Sequence, residues 1–263
     1  MASGPERASG SLTVAGSGIR PGPHTTREAI AHIRDANKVL YLLAEIAPVQ
    51  WLLELNPSAE ALDDLYRPGR PFGEVYEDVV ATIIEHVRKP QDVCVVFYGH
   101  PSVFDRTAHD AVDRARVEGF PARILPGITA EDCLYVDLGI DPGASGMQSF
   151  DATDFLVRRR TPDLTVPLIL WQVGIVGGSR TTGEVRRAGL EILAERLAEL
   201  YGGEHELVVY EATPFPVGRP MIERCVTRDL ADAGVTGLST VYVPPEGAAP
   251  PDPEMIARLE IET

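Results

Sequence analysis

The chain has 263 residues, 44% of them hydrophobic and 24% charged, enough for a sizeable core in one large or two modest domains. Its formal net charge of -15 at pH 7 makes a surface that repels phosphate backbones, which argues against broad nucleic-acid binding; the best basic run, Arg158–Arg160, reads as a solvated face. No apolar run approaches the roughly 20 residues needed to span a bilayer, so no membrane partner is expected.

Three scattered cysteines, Cys94, Cys133 and Cys225, suit a reducing compartment and give no disulfide framework. No CxxC, HExxH or similar spacing is present, so no metal site is expected. Met1–Ser11 is small and polar, without the apolar segment of a signal peptide. The expectation is a cytoplasmic protein with a loose tail over residues 1–10.

In chain order, Leu12–Ala15 predicts a strand that ends in Gly16-Ser17-Gly18. Thr26–Ala36 predicts a helix with Thr25 or Thr26 as N-cap. Val39–Leu43 predicts a buried strand, and Val49–Leu55 a helix that stops before Asn56-Pro57. Arg67–Gly73 is rich in Pro and Gly and predicts a loop. Glu74–Arg88 carries Val75, Val79, Val80, Ile83, Ile84 and Val87 as a helical stripe. Val93–Phe97 is an uninterrupted apolar run suited to a central parallel strand. A helix over Val103–Glu118, a strand over Ala122–Leu125 and a helix over Thr129–Leu138 follow. Strands separated by helices of this length imply βαβ units on a parallel sheet.

After Gly139–Gly146 the pattern changes. Leu168–Val173 and Glu206–Glu211 read as strands around a long helix, Gly183–Tyr201, with further strands at Ile222–Val226 and Leu238–Val243. Strands in quick succession predict a mixed sheet. The expected organisation is an α/β domain over 11–140, a second over 141–245, and an extended segment over 246–263 that begins Pro/Gly-rich and carries a short helix at Met255–Ile261.

Gly16-Ser17-Gly18 fails as a dinucleotide fingerprint, because Pro21 stands where GxGxxG needs glycine. A tight strand–helix turn is the plainer reading, though such a turn at a strand's carboxyl end still lines a crevice. Tyr98-Gly99-His100-Pro101-Ser102-Val103-Phe104 follows the strongest strand, and Leu125-Pro126-Gly127-Ile128-Thr129-Ala130-Glu131-Asp132 repeats the arrangement at the next. Ligands of parallel sheets bind at these ends, and Thr129 is suited to cap the following helix. His100 alone is weak evidence, since a lone histidine is more often structural.

Together with Asp137–Pro142, Trp171–Ile175, Tyr210–Thr213 and Leu238–Thr240 before Pro244-Pro245, these blocks resemble the tetrapyrrole-methylase superfamily. They are most similar to its borosin branch, the peptide α-N-methyltransferases of ribosomal peptide (RiPP) pathways. The resemblance runs over roughly residues 11–245. It implies a two-domain class III methyltransferase fold, with S-adenosylmethionine as cofactor, S-adenosylhomocysteine as product, and a cofactor cleft between the domains. Carried over by position, Tyr98, His100, Val103 and Phe104 line the cofactor site, Thr129 and Ala130 hold its amino-acid end, and Gln172, Ala212, Ser239 and Thr240 frame the adenosine. Ordinary strand packing is the plain reading of each second-domain residue taken singly.

The resembling enzymes carry catalytic tyrosines and an arginine in the segment that here holds Tyr66, Arg67, Arg70, Phe72 and Tyr76. Their arginine sits four residues before the second tyrosine, where this chain has Phe72. Either Arg70 fills the role or the arginine is missing and catalysis is altered.

A backbone amide is a poor nucleophile because its lone pair is delocalised into the carbonyl. The expected roles are therefore Tyr76 as proton acceptor, directly or through water, Tyr66 as donor to the developing imidate oxygen, and Arg70 as the charge that tunes both. The resembling fused enzymes carry their substrate as a C-terminal extension. This sequence stops shortly after its Pro-rich segment, so the expectation is a separate precursor peptide methylated in trans; the resemblance also implies a homodimer. C-methylation of a tetrapyrrole or other small molecule on the same fold is the alternative, and a non-catalytic peptide-binding scaffold is a second.

Overall fold

Uninterrupted β-branched and aliphatic runs become the centre of a five-stranded parallel sheet in the order β3-β2-β4-β1-β5. The structure, a computed structural model, describes residues 10–43, 46–181, 184–215 and 217–261. The expected tail therefore lies, over residues 1–9, outside the described residues, as does Gly183.

The first sheet comprises β1 (Ser11–Gly16), β2 (Lys38–Leu42), β3 (Glu60–Ala61), β4 (Asp92–Phe97) and β5 (Ala122–Ile124). Its helices are α1 (Arg27–Asp35), α2 (Ile46–Leu55), α3 (Phe72–Val87), α4 (Arg106–Val117) and α5 (Ala130–Leu138). Strand alternation sends Leu12, Val14, Val93, Val95 and Phe97 to one face, under the apolar stripes of α3 and α4. Ala15, Val39, Tyr41, Cys94 and Val96 go to the other, under α1 and α2. Both faces are thus buried, as an all-parallel sheet requires. Each fully buried aliphatic side chain in these layers contributes on the order of 1.5–3 kcal/mol over its exposed state.

The connection from β1 leaves through α1 towards β2, and that from β4 leaves through α4, on the opposite face, towards β5. Adjacent strands β1 and β4 therefore form a topological switch point, and the crevice of an open α/β sheet lies at their carboxyl ends.

Local chemistry sets the helix starts. Thr26 caps α1, accepting from the Ala29 N–H. α3 begins at Phe72, not after Gly73, because Pro71 at φ -59° leads directly into the first turn. α4 begins at Arg106, not Val103. Phe104 has φ +53°, which no right-handed helix accommodates, and Asp105 then takes the cap by accepting from the Thr107 N–H.

The second sheet, order β6-β7-β10-β8-β9, is mixed. After the single-turn α6 (Pro142–Ser145) come β6 (Gln148–Asp151), α7 (Ala152–Val157), β7 (Leu168–Trp171), α8 (Arg187–Tyr201), β8 (Glu206–Glu211), β9 (Met221–Val226), β10 (Thr240–Val243) and α9 (Pro253–Arg258). β6 and β7 run parallel, and β10 lies antiparallel between β7 and β8. Leu190, Leu193, Leu197 and Tyr201 form the buried stripe of α8. β7 ends two residues earlier than its apolar run, because Gln172 turns left-handed at φ +58°. The short elements α6, β6 and α7 are absent from the sequence reading.

The chain divides into two compact units. One comprises 1–140, 178–183 and 211–221; the other comprises 141–177, 184–210 and 222–263. No described helix is long and apolar enough to cross a membrane.

Candidate active site

Three strand ends meet through glycines. A Cβ on Gly16 would lie 2.3 Å from the Gly99 carbonyl oxygen and 3.3 Å from the Gly127 Cα; one on Gly127 would lie 2.7 Å from the same oxygen. The Gly18 and Gly99 backbones, both at φ +69°, exchange N–H···O bonds of 3.1 and 3.2 Å. Only glycine combines that conformation with that approach. The carboxyl ends of β1, β4 and β5 thus form a close-packed backbone floor, with Pro101 Cδ and Ile19 Cδ1 the nearest side-chain atoms beside Gly16 and Gly99.

Tyr98, His100, Val103 and Phe104 lie on the segment from β4 to α4, and Thr129 and Ala130 at the start of α5, directly after these strand ends. The loop from β4 to α4 is folded on itself: the Ser102 N–H donates to His100 Nδ1 at 3.0 Å, and the Val103 N–H to the His100 carbonyl at 3.1 Å. That leaves the His100 proton on Nε2 in the neutral ring. Tyr98 is half-buried and packs against the α1/α2 side of the sheet. Phe104 is exposed. At the end of β5, Thr129 and Asp132 make a reciprocal capping box. The Asp132 N–H donates to Thr129 Oγ1 at 2.9 Å, and the Thr129 N–H to Asp132 Oδ2 at 2.7 Å. Ala130 opens α5 directly behind the cap.

Four described non-glycine residues hold a left-handed backbone: Phe104, Arg159, Gln172 and Glu260. Two of them, Phe104 and Gln172, are expected cofactor positions. Such strain costs about 1–3 kcal/mol and gathers where function needs it.

Tyr66, Arg70 and Tyr76 lie in the first unit as well. Tyr66 and Tyr76 face each other with ring centroids 6.5 Å apart and planes at 56°, and Phe72 stacks on Tyr76 at 5.9 Å. Tyr66 packs against the α3/α4 core, and its phenol lies near enough to Asp105 and to Thr107, three residues past Phe104 at the start of α4, for both to act on its pKa. The tyrosine pair is therefore docked beside the His100–Phe104 loop.

Burial pushes the Tyr66 phenol well above its ordinary value of 10, and Asp105, Tyr76 and Asp63 add to the shift, against the Thr107 hydrogen bond that lowers it. Tyr66 stays protonated, and hence a donor, throughout the neutral range. The difference in tyrosinate absorbance between wild type and Tyr66→Phe should stay flat through pH 10, where an ordinary phenol titrates, and rise only above it. A tyrosinate signal from this residue at or below pH 10 would remove its donor role.

Arg70 is held by acidic side chains of α3 and by the Leu65 carbonyl. Its Nη2 donates to Asp78 Oδ2 at 2.7 Å, Glu74 lies 3.9 Å away, and its Nη1 donates to the Leu65 carbonyl at 3.3 Å. Glu74 and Asp78 form one stripe of α3, and Phe72 and Tyr76 another, about 200° around the helix at 3.6 residues per turn. An aromatic ring, not a guanidinium, accompanies Tyr76 on its own stripe.

In the second unit, Gln172 follows β7 and Ser239-Thr240 lead into β10. A Cβ on Gly174 would lie 2.2 Å from the Thr236 carbonyl oxygen, so these two turns pack backbone to backbone. Ser239 and Thr240 are buried, and Ser239 Oγ accepts from the Thr236 N–H at 2.8 Å. Ala212 follows β8 and is counted with the first unit. There it lines a cavity of about 240 Å³ with Arg20, His24 and Asp132. Burial and the neighbouring Arg20 pull the His24 pKa down, against Asp132.

Sequence reasoning missed Asp78, Asp105, Thr107 and Thr181, all in contact with the tyrosine segment or its neighbours. Asp105 and Thr107 were legible as a cap following Phe104; Asp78 and Thr181 carried no local signal. No three described His, Cys, Asp or Glu side chains gather as a metal-ligand cluster.

Comparison with known proteins places this geometry in a family. The chain is 37% identical over 266 residues to the methyltransferase/ribosomally synthesized cyclic peptide gymnopeptides precursor of Gymnopus fusipes, covering 99% of this chain and 63% of that one. It is 35% identical over 256 residues to a methyltransferase/ribosomally synthesized type III borosin cyclic peptide precursor of Anomoporia bombycina, covering 95% of this chain and 30% of that one. The chain thus spans under two thirds of the length of these relatives. Among solved structures, the uroporphyrin-III-C-methyltransferase of Thermus thermophilus shares the fold with a TM-score of 0.65 at 20% identity, over 89% of this chain and 92% of that one. Residues 11–232 match the Tetrapyrrole (Corrin/Porphyrin) Methylases, and the chain belongs to that family of methyltransferases.

Proposed function

We propose that this protein is an S-adenosylmethionine-dependent methyltransferase that N-methylates backbone amides of a ribosomally made precursor peptide. The observation that carries the reading is the docking of the Tyr66–Tyr76 pair on the start of α4, beside the loop that follows from the glycine floor. The printed names of the relatives, which pair a methyltransferase with a cyclic-peptide precursor, support the substrate class.

The residues present fit the cofactor. The backbone floor at the switch point has no room for a Cβ on Gly16 or Gly127, and Tyr98, His100, Val103, Phe104, Thr129 and Ala130, the proposed cofactor contacts, follow directly from its strand ends. Gln172, Ser239 and Thr240, with Ala212, are the proposed adenosine contacts. Bound there, S-adenosylmethionine supplies an electrophilic methyl group on a sulfonium.

The chain's own residues handle the amide. Tyr66, held protonated by burial, donates to the amide oxygen and stabilises the charge that develops there as the nitrogen loses its proton. Tyr76, acting as the phenolate, accepts that proton, directly or through water, and becomes the neutral phenol. Arg70 tunes both phenols from the loop between them, with its charge partly answered by Asp78.

The test has two arms. Calorimetry should show S-adenosylmethionine and S-adenosylhomocysteine competing for about one site per chain, the usual number for one main ligand cleft. Incubation with the peptide region of the Gymnopus fusipes relative, supplied as a separate chain, should then add methyl groups located on backbone nitrogens by tandem mass spectrometry. Absence of binding by either compound removes the proposal. Cofactor binding with transfer only to a tetrapyrrole assigns the alternative substrate, and binding of cofactor and peptide without transfer assigns a scaffold.

A further inference from the structure

The segment between the two tyrosines is held by residues more than a hundred positions away. Arg67-Pro68-Gly69-Arg70 is a Pro-Gly turn with Gly69 at φ +85°, the geometry of a type II turn. Its own closing bond is weak: the Arg70 N–H reaches the Arg67 carbonyl at 3.4 Å.

The Thr181 hydroxyl spans the mouth of that turn instead. It donates to the Arg67 carbonyl at 2.6 Å and accepts from the Arg70 N–H at 3.2 Å. The backbone repeats the attachment on both sides. The Gly69 N–H donates to the Thr181 carbonyl at 2.7 Å, the Thr181 N–H to the Arg70 carbonyl at 2.9 Å, and the Phe72 N–H to the Ser179 carbonyl at 3.1 Å. Arg180 Nη1 donates to the Gly69 carbonyl at 2.7 Å, and Pro71 bridges antiparallel with Arg180. Thr181 is 6% exposed, although Arg67, Pro68 and Gly69 of the turn it holds are exposed. A buried hydroxyl that bonds both ends of one turn fixes the turn's opening, which a side chain of the same shape without oxygen cannot do.

We propose that Thr181 is a positioning residue, whose hydroxyl pins the Arg67–Arg70 turn and so sets where Arg70 and the flanking Tyr66 and Tyr76 stand. It touches no reacting group and acts only through that turn. The inference rests on the proposed function for its catalytic consequence, while the pin itself is read separately.

Thr181→Val keeps the shape and removes the oxygen; Thr181→Ser keeps the oxygen and removes the methyl. For the pin, hydrogen exchange of the Arg70 amide should accelerate in Thr181→Val and stay near wild type in Thr181→Ser, with core amides of β4 unchanged in both. For catalysis, kcat for peptide methylation should fall on the order of 100-fold in Thr181→Val, the scale of an ångström-level misplacement, with cofactor affinity and KM little changed and the rate restored in Thr181→Ser. Equal exchange in the two variants overturns the pin. An exchange contrast with unchanged kcat overturns its positioning role. A wild-type chain that transfers no methyl group defeats the proposed function, and with it the catalytic role given to Thr181, while the exchange contrast still decides the pin.

Discussion

Tyr76→Phe should slow methyl transfer to a peptide by about 100- to 10,000-fold, or ~3–5.5 kcal/mol, the range for loss of a general acid/base group. The substitution removes one hydroxyl and leaves the ring, so the stack on Phe72 at 5.9 Å and the contact with Tyr66 at 6.5 Å survive. The loss then belongs to proton handling, and calorimetry should show cofactor affinity nearly intact. Two companions sharpen the result. Phe72→Arg sets a guanidinium four residues before Tyr76, on the same stripe of α3, where a cation favours the phenolate and should raise the rate. Arg70→Ala removes a cation already answered by Asp78 at 2.7 Å, so a sharp loss there would show that the Arg67–Arg70 turn supplies the active charge. Tyr76→Phe turning over at the wild-type rate would refute the mechanism and leave the cofactor assignment standing.

Phe97→Ala should destabilise the protein by about 3–5 kcal/mol, the usual cost of emptying a buried aromatic site. Phe97 closes β4, is 2% exposed, and lies among Val93, Val95 and the stripes of α3 and α4. The pleat fixes the backbone around it through pairing with Gly16 and Leu42, so neighbours cannot collapse into the space. The next residue is Tyr98, so the cavity opens directly beneath the proposed cofactor loop. Denaturant unfolding should show the midpoint falling, and calorimetry a weaker cofactor. A change under 1.5 kcal/mol, the scale of a tolerated volume-conserving swap, would mean that the strand end repacks freely.

What the sequence revealed and what it hid divide along one physical line. Features written in consecutive residues were legible. The apolar run Val93–Phe97 reads as a central strand and is one. Thr129 reads as a cap and is one, and of the two candidates Thr25 and Thr26 it is Thr26 that accepts the capping N–H bond. Features that depend on distant partners were not. β3 is two residues long and exists through pairing with Leu40 and Tyr41, so its own composition gives no signal. Phe104 and Gln172 are left-handed because the chain on either side is held, which no propensity of Phe or Gln foretells. Within the candidate site, Tyr66 and Tyr76 were visible through the family resemblance, on either side of the Pro/Gly-rich loop Arg67–Gly73. That the Arg70 charge goes to Asp78, and that Phe72 takes the place on Tyr76, was visible only once α3 was seen to start at Phe72.

The hold on the Arg67–Arg70 turn also orders events in time. Arg70 and Thr181 are 111 residues apart, so the bonds between them close a long loop and form late. At a synthesis rate of about 5–20 residues per second, the turn emerges roughly 5–20 s before its pin. A nascent chain halted just before Ser179 already contains every strand of the first sheet and both tyrosines, yet its turn has only the 3.4 Å bond to close it. The tyrosine segment is therefore finished only after the second unit has begun to be made, and a growing chain holds every strand of the first sheet before it holds a pinned Arg67–Arg70 turn.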